Sequence, residues 1–428
     1  MDSIFAQATA TGRAGVSVIR LSGFQAFDIA RIFCKLPEVG RTGLRAVRGR
    51  DGALIDQALV LCFEQGASFT GERVVEFQVH GGLATVAKLL SELSAQEGCR
   101  LAEPGEFTRR ALENGQLDLN QVEALSDLID AETESQRQQA IRVLDGRFGD
   151  AGEMWRGKLL RAAALLEASI DFSDEEIPDD LSVEVISLVE ETRASIAAIL
   201  ERSMMASKIR IGFTVAIIGA PNVGKSTLLN AIVGRQAAIT SDVAGTTRDV
   251  IECRVDLQGL AVSFLDTAGL RESEDEIENL GISKAYEMAA AADVRVFLVE
   301  EVGEPLPIAL RDGDIVRLNK GDERSSDVGT VSGKTGEGVS ELLSLIAKRL
   351  MVKTPQDVVA IRERQITGLR AAESFLGRVL ELTQADPLPF ELASQELYFA
   401  LSELDFVFGR IDIESVLDEI FSSFCLGK

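Results

Sequence analysis

Residues 219–226 read Gly-Ala-Pro-Asn-Val-Gly-Lys-Ser, a complete Gly-x-x-x-x-Gly-Lys-Ser phosphate loop. Its glycines let successive backbone N–H groups turn inward around a phosphate, Lys225 brings a point charge to the outer phosphates, and the Ser226 hydroxyl suits Mg²⁺. Three further motifs are in keeping with that chemistry. Asp266-Thr-Ala-Gly269 offers a carboxylate for a magnesium-bound water, with the Gly269 N–H facing a γ-phosphate. Between the two, Gly245-Thr-Thr-Arg-Asp249 supplies Thr247, a loop hydroxyl able to close on Mg²⁺ and the γ-phosphate when a triphosphate is bound. Asn319-Lys320-Gly-Asp322 then selects the base. Its Asp322 carboxylate accepts from the N1–H and exocyclic amine of guanine, whereas adenine would leave it facing an acceptor. Ser332-Gly333-Lys334 falls where a backbone N–H meets the guanine oxygen. A glycine-rich turn can arise by accident, and an isolated Asn-Lys-x-Asp is usually a solvated loop. In this order and spacing the set predicts a GTP site.

Such motifs need strands that end beside them. The phosphate loop follows the apolar run 213–218 and precedes the helical pattern 227–233, the Asp266 motif follows 261–265, and the base motif follows 314–318. Strands and helices alternating over 211–352 predict a doubly wound sheet with phosphates at the carboxyl ends of its strands. The connection from 297–299 to Asn319 is short for a crossover helix. Residues 1–118 mix strand-like runs at 16–21, 58–63 and 74–79 with glycine turns, an α+β pattern. From Leu119 the apolar period becomes helical, with Val122, Leu125, Leu128 and Ile129 on one stripe, and it continues through 159–166 and 185–200. An acidic loop at 172–180 interrupts it, and helical periodicity resumes from Gln356 to Phe424. The expected architecture is multi-domain, α/β and α. It has an α+β N-terminal domain (1–118) and a discontinuous helical bundle (119–210 and 353–428), with a doubly wound P-loop GTPase domain (211–352) inserted into the bundle.

The 428 residues leave room for two or three domains. With 44 basic and 68 acidic residues the net charge is −24, which argues against a large autonomous grip on nucleic acid or an anionic membrane. RNA chemistry would rely on a local patch or a more basic partner. No apolar run reaches the ~18 residues needed to span a bilayer, and residues 1–5 lack the pattern of a signal peptide, so a soluble cytoplasmic protein is expected. Five scattered cysteines without a Cys-x-x-Cys pair, and a single histidine, His80, argue against a zinc cluster or a histidine-activated nucleophile. Cys34, Cys62, Cys99 and Cys253 read as buried small hydrophobes.

The chain resembles the MnmE (TrmE) family of bacterial tRNA modification GTPases over essentially its full length. The resemblance rests on Ala6-Gln-Ala-Thr9, Gly12-Arg13, Phe69-Thr-Gly-Glu72, Val79-His-Gly-Gly82, Pro104-Gly-Glu-Phe107, the stretch from Leu117 to Ala131, and the closing Phe424-Cys-Leu-Gly-Lys428. It implies an N-terminal domain that binds 5-formyltetrahydrofolate or a related folate and forms a homodimer, and a G domain that pairs across that dimer. With a FAD-containing MnmG-type partner, such proteins install an aminomethyl-type group at C5 of the wobble uridine of tRNA, the folate supplying the one-carbon unit. Folate positions carried over are Arg20, Glu76, Gln116 and Lys428, with glutamine at 116 where the family often has lysine. Arg20 suits a glutamate tail or ring carbonyl and Glu76 the donor edge of a pterin, while both also read as solvated strand residues. Cys425 is either a thiolate that takes part in one-carbon transfer or a tail thiol that packs.

Hydrolysis must be organised without the usual glutamine, because Leu270 follows Asp-Thr-Ala-Gly. The resemblance assigns water orientation to Glu278, which otherwise reads as part of a solvated acidic run. It replaces an arginine finger with K⁺ held by the Asn222 side chain, Ser241, the Val243 backbone and Thr246, oxygens that suit a hard cation. Arg248 reads as a finger in cis or as structural. Mg²⁺ falls to Ser226, Thr247 and, through water, Asp266. Nucleotide contacts are expected at Asn222, Val223, Gly224, Lys225, Ser226 and Thr227, and at Ser241, Asp242, Val243, Ala244, Gly245, Thr246 and Thr247. They are also expected at Asp266, Thr267, Ala268 and Gly269, at Asn319, Lys320 and Asp322, and at Ser332, Gly333 and Lys334. Two other functions use the same G motifs: a regulatory GTPase of ribosome assembly, and a self-sufficient folate-dependent aminomethyltransferase gated by GTP.

Overall fold

The computed structural model describes residues 2–171, 180–236, 251–266, 287–319, 329–351, 362–385, 388–411, 417, 420–421 and 427. Contacts divide the chain into two compact units, one of residues 1–126, 149–153 and 401–428, the other of 127–148 and 154–400.

The first unit is built on strands β1 (Ser3–Gln7), β2 (Ala14–Ser22), β3 (Gly43–Arg48), β4 (Leu54–Phe63), β5 (Val74–Gly81) and β6 (Cys99–Leu101). They form one six-stranded sheet in the order β3-β4-β5-β2-β1-β6, antiparallel except for β6 beside β1. Alternation along each strand decides which face is covered. Ile19, Leu21, Ala58, Val60, Cys62, Val75, Phe77 and Val79 enter one core and none is more than 2% exposed. Helices α1 (Ala26–Phe33) and α2 (Leu83–Ser94) close that core with Phe27, Ile29, Ala30 and Phe33 and with Val86, Leu89 and Leu93, each set spaced for one helical face. A separate cluster joins Ile4, Ala6 and Ala102 to Phe107 of α3 (Glu106–Glu113).

Helix α4 (Leu119–Ile129) starts where the helical period begins in the sequence. Its buried residues are Leu119, Asn120, Val122, Glu123 and Ala124, whereas Ile129 is 38% exposed. The expected stripe through Leu125, Leu128 and Ile129 is therefore only partly realised, because Leu119 and Val122 pack with Leu112, Leu117, Leu417, Ile420 and Phe421 at the start of the helix.

The second unit contains β7 (Phe213–Ile218), β8 (Ile251–Leu257), β9 (Leu260–Asp266), β10 (Val294–Val299), β11 (Ile315–Asn319) and β12 (Thr330–Val331), in the order β12-β11-β10-β7-β9-β8. All neighbours are parallel except β8, which is antiparallel to β9. Its central strands are apolar almost throughout, as a sheet covered on both faces requires, and every residue of β10 is buried. Helix α8 (Lys225–Arg235) follows β7, and α9 (Val339–Met351) follows β12 with Leu342, Leu343, Ile346 and Leu350 in the same core. The remaining helices are α5 (Glu134–Leu144), α6 (Arg147–Asp171), α7 (Asp180–Ile211), α10 (Glu363–Leu382) and α11 (Phe390–Val407). Helix α10 lies along α7, so helices from before and after the parallel sheet do pair, as an interrupted bundle requires.

The link from β10 to β11, residues 300–314, carries no helix. In place of one, Leu306 and Ile308 pack against Ala216, Ile218, Ala289, Ala292 and Phe297. Arg295 of β10 reaches the end of the link, donating to both Asp314 carboxylate oxygens and to the Ala309 carbonyl at 3.0 Å. Burial by itself would raise the Asp314 carboxyl, but hydrogen bonds from Arg295 and from the Arg311 N–H outweigh it and leave it below its usual range.

Candidate active site

Between β7 and α8 the phosphate loop is held in a conformation few residues adopt. Asn222 has φ 64° and Gly224 φ 100°, both left-handed, and this turns the intervening N–H groups to one side. A Cβ on Gly219 would stand 2.4 Å from the Leu298 carbonyl of β10, and one on Gly224 would stand 2.4 Å from the Asn319 amide nitrogen. Lys225, 4% exposed, folds back so that Nζ donates to the carbonyls of Gly219 and Ala220 at 2.7 and 2.8 Å. A buried ammonium needs acceptors, and the loop supplies two of its own.

Parallel register brings the other motifs to the same edge of the sheet. Ile217 pairs with Asp266, so the backbone of that aspartate ends its strand beside the loop. Asn319 pairs with Val331, which sets Ser332 immediately beyond the base motif. Asn319 is 6% exposed and its amide donates to the Val223 carbonyl, tying the base motif directly to the phosphate loop. The Ser332 loop closes on itself through Ser332 N–H to the Glu337 carbonyl and Thr335 N–H to the Ser332 hydroxyl. Gly333 lies against the start of α8, where a Cβ would come within 2.6 Å of the Thr227 and Leu228 backbone, while Lys334 is exposed. Asn222, Val223, Gly224, Lys225, Ser226, Thr227, Asn319, Ser332 and Gly333 thus share one neighbourhood. Ser241, Asp242, Val243, Ala244, Gly245, Thr246, Thr247, Arg248, Thr267, Ala268, Gly269, Glu278, Lys320, Asp322, Cys425 and Lys428 lie outside the described residues, as does the acidic stretch 172–179.

A cavity of about 770 Å³ lies elsewhere, at the amino ends of β10 and β11, lined by Asp293, Arg311, Asp314, Lys348 and Arg349 among others. No phosphate-loop residue lines it, and two of its carboxylates are taken up by structural pairs, Asp314 with Arg295 and Asp293 with Lys208 at 3.0 Å.

The first unit holds a second polar centre. Arg20 and Glu76 are direct cross-strand partners, and Arg20 Nε lies 2.9 Å from a Glu76 oxygen. The guanidinium carbon is 5.7 Å from the ring centres of both Phe69 and Phe107. Gln116 packs beside Gly71, where a Cβ would meet its side chain at 3.1 Å. A network not foreseen from sequence supports this loop. Ser22 donates to Glu72 at 2.7 Å, Arg110 spans Glu72 and Glu106 at 3.1 and 3.0 Å, and Arg100 donates to Glu106 at 2.6 Å. Burial pushes the Glu106 carboxyl up, but the bonds from Arg100, Glu103 N–H and Arg110 hold it below the usual carboxylate range. The signal was present as charged residues inside the Phe69–Glu72 and Pro104–Phe107 motifs, positions where a solvated surface would not demand them. Cys34, Cys62 and Cys99 are buried, and burial pushes each thiol up to about 11; Cys253 is only half-buried. Among the described residues no cluster of three or more metal-ligating side chains occurs, and no helix is long and apolar enough to cross a membrane.

A phosphate loop between a buried strand and a helix, with the base motif hydrogen-bonded to it across a mostly parallel sheet, defines a P-loop GTPase. Residues 3–116 match the profile of the GTP-binding protein TrmE N-terminus and residues 119–425 that of the MnmE helical domain. The chain is 52% identical to the tRNA modification GTPase MnmE of Roseobacter denitrificans and 50% identical to that of a Ruegeria species, in each case over the whole of both chains. Among solved structures it is similar to an Aquifex aeolicus Era chain bound to GDP and aluminium fluoride, at 26% identity over 38% of this chain and 66% of that one. The TM-score of 0.26 is too low to carry any argument. The chain belongs to the MnmE family of tRNA modification GTPases, GTP-hydrolysing enzymes of tRNA modification.

Proposed function

We propose that this GTPase works as a cytoplasmic homodimer with a FAD-containing MnmG-type partner, and that GTP turnover drives the addition of an aminomethyl-type group at C5 of the tRNA wobble uridine. The domains would be a folate-binding and dimerisation domain at 1–118, helical parts at 119–210 and 353–428, and a G domain at 211–352. The observation that carries the reading is the buried Lys225 in the loop mouth, with Asn319 fastened to Val223 beside it. When GTP binds, the lysine can exchange the Gly219 and Ala220 carbonyls for phosphate oxygens, and the loop N–H groups hold the rest of the charge.

The donor set fits the ions. Ser226 heads α8 with a hydroxyl for Mg²⁺, joined by Thr247 and by Asp266 through water. Asn222, in a left-handed turn at the mouth of the loop, would offer K⁺ its side-chain oxygen alongside Ser241, Val243 and Thr246. Bound there, the cation supplies the positive charge that an arginine finger supplies elsewhere. Glu278 would orient the attacking water. In the first unit, Arg20 and Glu76 form a cation and anion pair flanked by two aromatic rings, which suits a folate carrying both a carboxylate tail and a donor-rich ring edge; Gln116 and Lys428 would complete the site. The bound folate supplies the one-carbon unit, and Cys425 is the thiol assigned to that transfer.

The test is reconstitution with tRNA, 5-formyltetrahydrofolate, GTP and the flavoprotein. GTP turnover is followed in K⁺ and in Na⁺ at matched ionic strength, and wobble-uridine nucleosides are analysed by mass spectrometry. Modification that requires the flavoprotein, with turnover that requires K⁺ and falls in Asn222→Ala, is the expected result. Modification without the flavoprotein would point to a self-sufficient transferase, and no modified uridine at all would leave a regulatory GTPase.

A further inference from the structure

Residues 31–50 carry six basic side chains and one acidic, a net of +5 in a chain whose total is −24. The fold gathers four of the six around one hollow. A cavity of about 530 Å³ lies between the end of α1 and the edge strand β3, and Arg31, Lys35, Arg48 and Arg50 line it with no carboxylate among the lining residues. All four are exposed, while Phe33 and Cys34 beneath them are buried in the core.

The surrounding bonds hold these cations without neutralising them. Arg45 donates to the Lys35 carbonyl at 2.7 Å and the Leu44 carbonyl at 2.9 Å, tying β3 to the segment after α1, and Arg48 donates to the Gly52 carbonyl at 3.0 Å. A carbonyl orients a guanidinium but leaves its charge. Among the described residues, ion pairs reach only two of the lining cations. Arg31 meets Asp28 at 2.6 Å, and Arg50 lies 3.5 Å from Glu92, a carboxylate that Lys88 already holds at 2.8 Å. Charge on an edge strand also deters pairing with foreign strands, which accounts for Arg48 but not for Arg31 and Lys35 across the cavity.

We propose that this cavity is a docking surface for the phosphate backbone of tRNA, with Lys35 and Arg48 as its principal contacts. A polyanion is the partner that gains from several unneutralised cations on one short face, because each phosphate contact releases counterions. The charge of the chain as a whole repels RNA, so contact must be made where the sign reverses. Such contacts position the RNA and carry no sequence information. The surface belongs to the same compact unit as Arg20 and Glu76, and β3 stands two strand spacings, about 10 Å, from the strand β5 that carries Glu76. The inference rests on the reading that this chain handles tRNA.

Binding of tRNA to the full chain is measured by fluorescence anisotropy over a range of salt concentrations. The parent is compared with Lys35→Gln/Arg48→Gln, with the charge-keeping Lys35→Arg/Arg48→Lys, and with Lys158→Gln/Arg161→Gln, which removes equal charge from α6. The first variant is expected to bind at least about ten-fold more weakly, its slope of log affinity against log salt shallower by about one per cation removed, with the other two within about two-fold of the parent. GTP turnover without tRNA should stay within about two-fold, and in the reconstituted reaction the half-saturating tRNA concentration should rise about ten-fold with kcat unchanged. An equal loss in the α6 variant would reduce the effect to net charge, and a loss in the charge-keeping variant would mean damaged structure; either overturns the surface. Unmoved tRNA affinity in the first variant, with a shift in oligomeric state by light scattering or lost capture on phosphatidylglycerol vesicles, would give the face to a second copy or to a membrane and overturns it too. A parent that modifies tRNA and is matched by the first variant in affinity and half-saturation overturns the surface alone, whereas a parent that neither binds nor modifies tRNA overturns the functional reading with it.

Discussion

The two six-stranded sheets place their polar groups differently. In the parallel sheet the candidate chemistry stands at strand ends, where loop backbone does the binding: the turn around Gly224, the strand-end backbone of Asp266, and the Asn319 amide on the Val223 carbonyl. In the mostly antiparallel sheet it stands on a face, where Arg20 and Glu76 meet across two strands by side chain alone. Backbone sites demand particular residues at fixed spacing, because only those let the chain turn. A side-chain site on a sheet face demands only two positions in register, which any pair of strands supplies.

The contrast is broken most severely at Lys225. Lys225→Ala is expected to lower GTP turnover by about 100-fold or more, by phosphate release under saturating GTP, while 5-formyltetrahydrofolate binding by equilibrium dialysis stays as in the parent. Joint loss of both would mean the two centres are not separable.

The two ion pairs give the next test. Arg295 and Asp314 are 6% and 3% exposed, so Arg295→Ala strands a buried carboxylate and is expected to cost about 3–5 kcal/mol in denaturant unfolding. The sign with pH follows from the direction of the shift. Asp314 is held below its usual 3.8, so its contribution is present above that value and is lost as pH falls through the lower folded one. Without Arg295 the acid limit of stability should move to higher pH. Arg20 and Glu76 are 20% and 17% exposed, and Arg20→Ala is expected to cost only about 1 kcal/mol of stability. Its larger effect should be a roughly ten-fold loss of folate affinity with GTP turnover unchanged. A cost near that of Arg295→Ala, with folate binding intact, would make this pair structural.

The same contrast explains what could be read from sequence. Gly-x-x-x-x-Gly-Lys-Ser announced a strand before it and a helix after it because the turn has few solutions, and β7 and α8 occupy those places. The link between β10 and β11 was too short for a helix, and it has none. What replaces the helix was not legible, since Arg295 and Asp314 are 19 residues apart and meet only when two parallel strands align. Likewise Arg20 and Glu76 are 56 residues apart, and their contact depends on register. The stripe assigned to α4 failed in part because periodicity reports an apolar side, while Phe421 and Ile420, some 300 residues later, decide which of its turns is covered.

That last contact bears on synthesis. Leu119 and Val122 emerge early, yet the aromatic ring that covers them is made about 300 residues afterwards, roughly 15 to 60 s at ordinary bacterial translation rates. Throughout that interval the nascent chain shows a greasy corner to solvent while the entire parallel sheet is being translated. The unit begun first is the one finished last, which makes this corner the natural foothold for a chaperone, and makes a ribosome stalled near residue 400 a source of half-closed, aggregation-prone product.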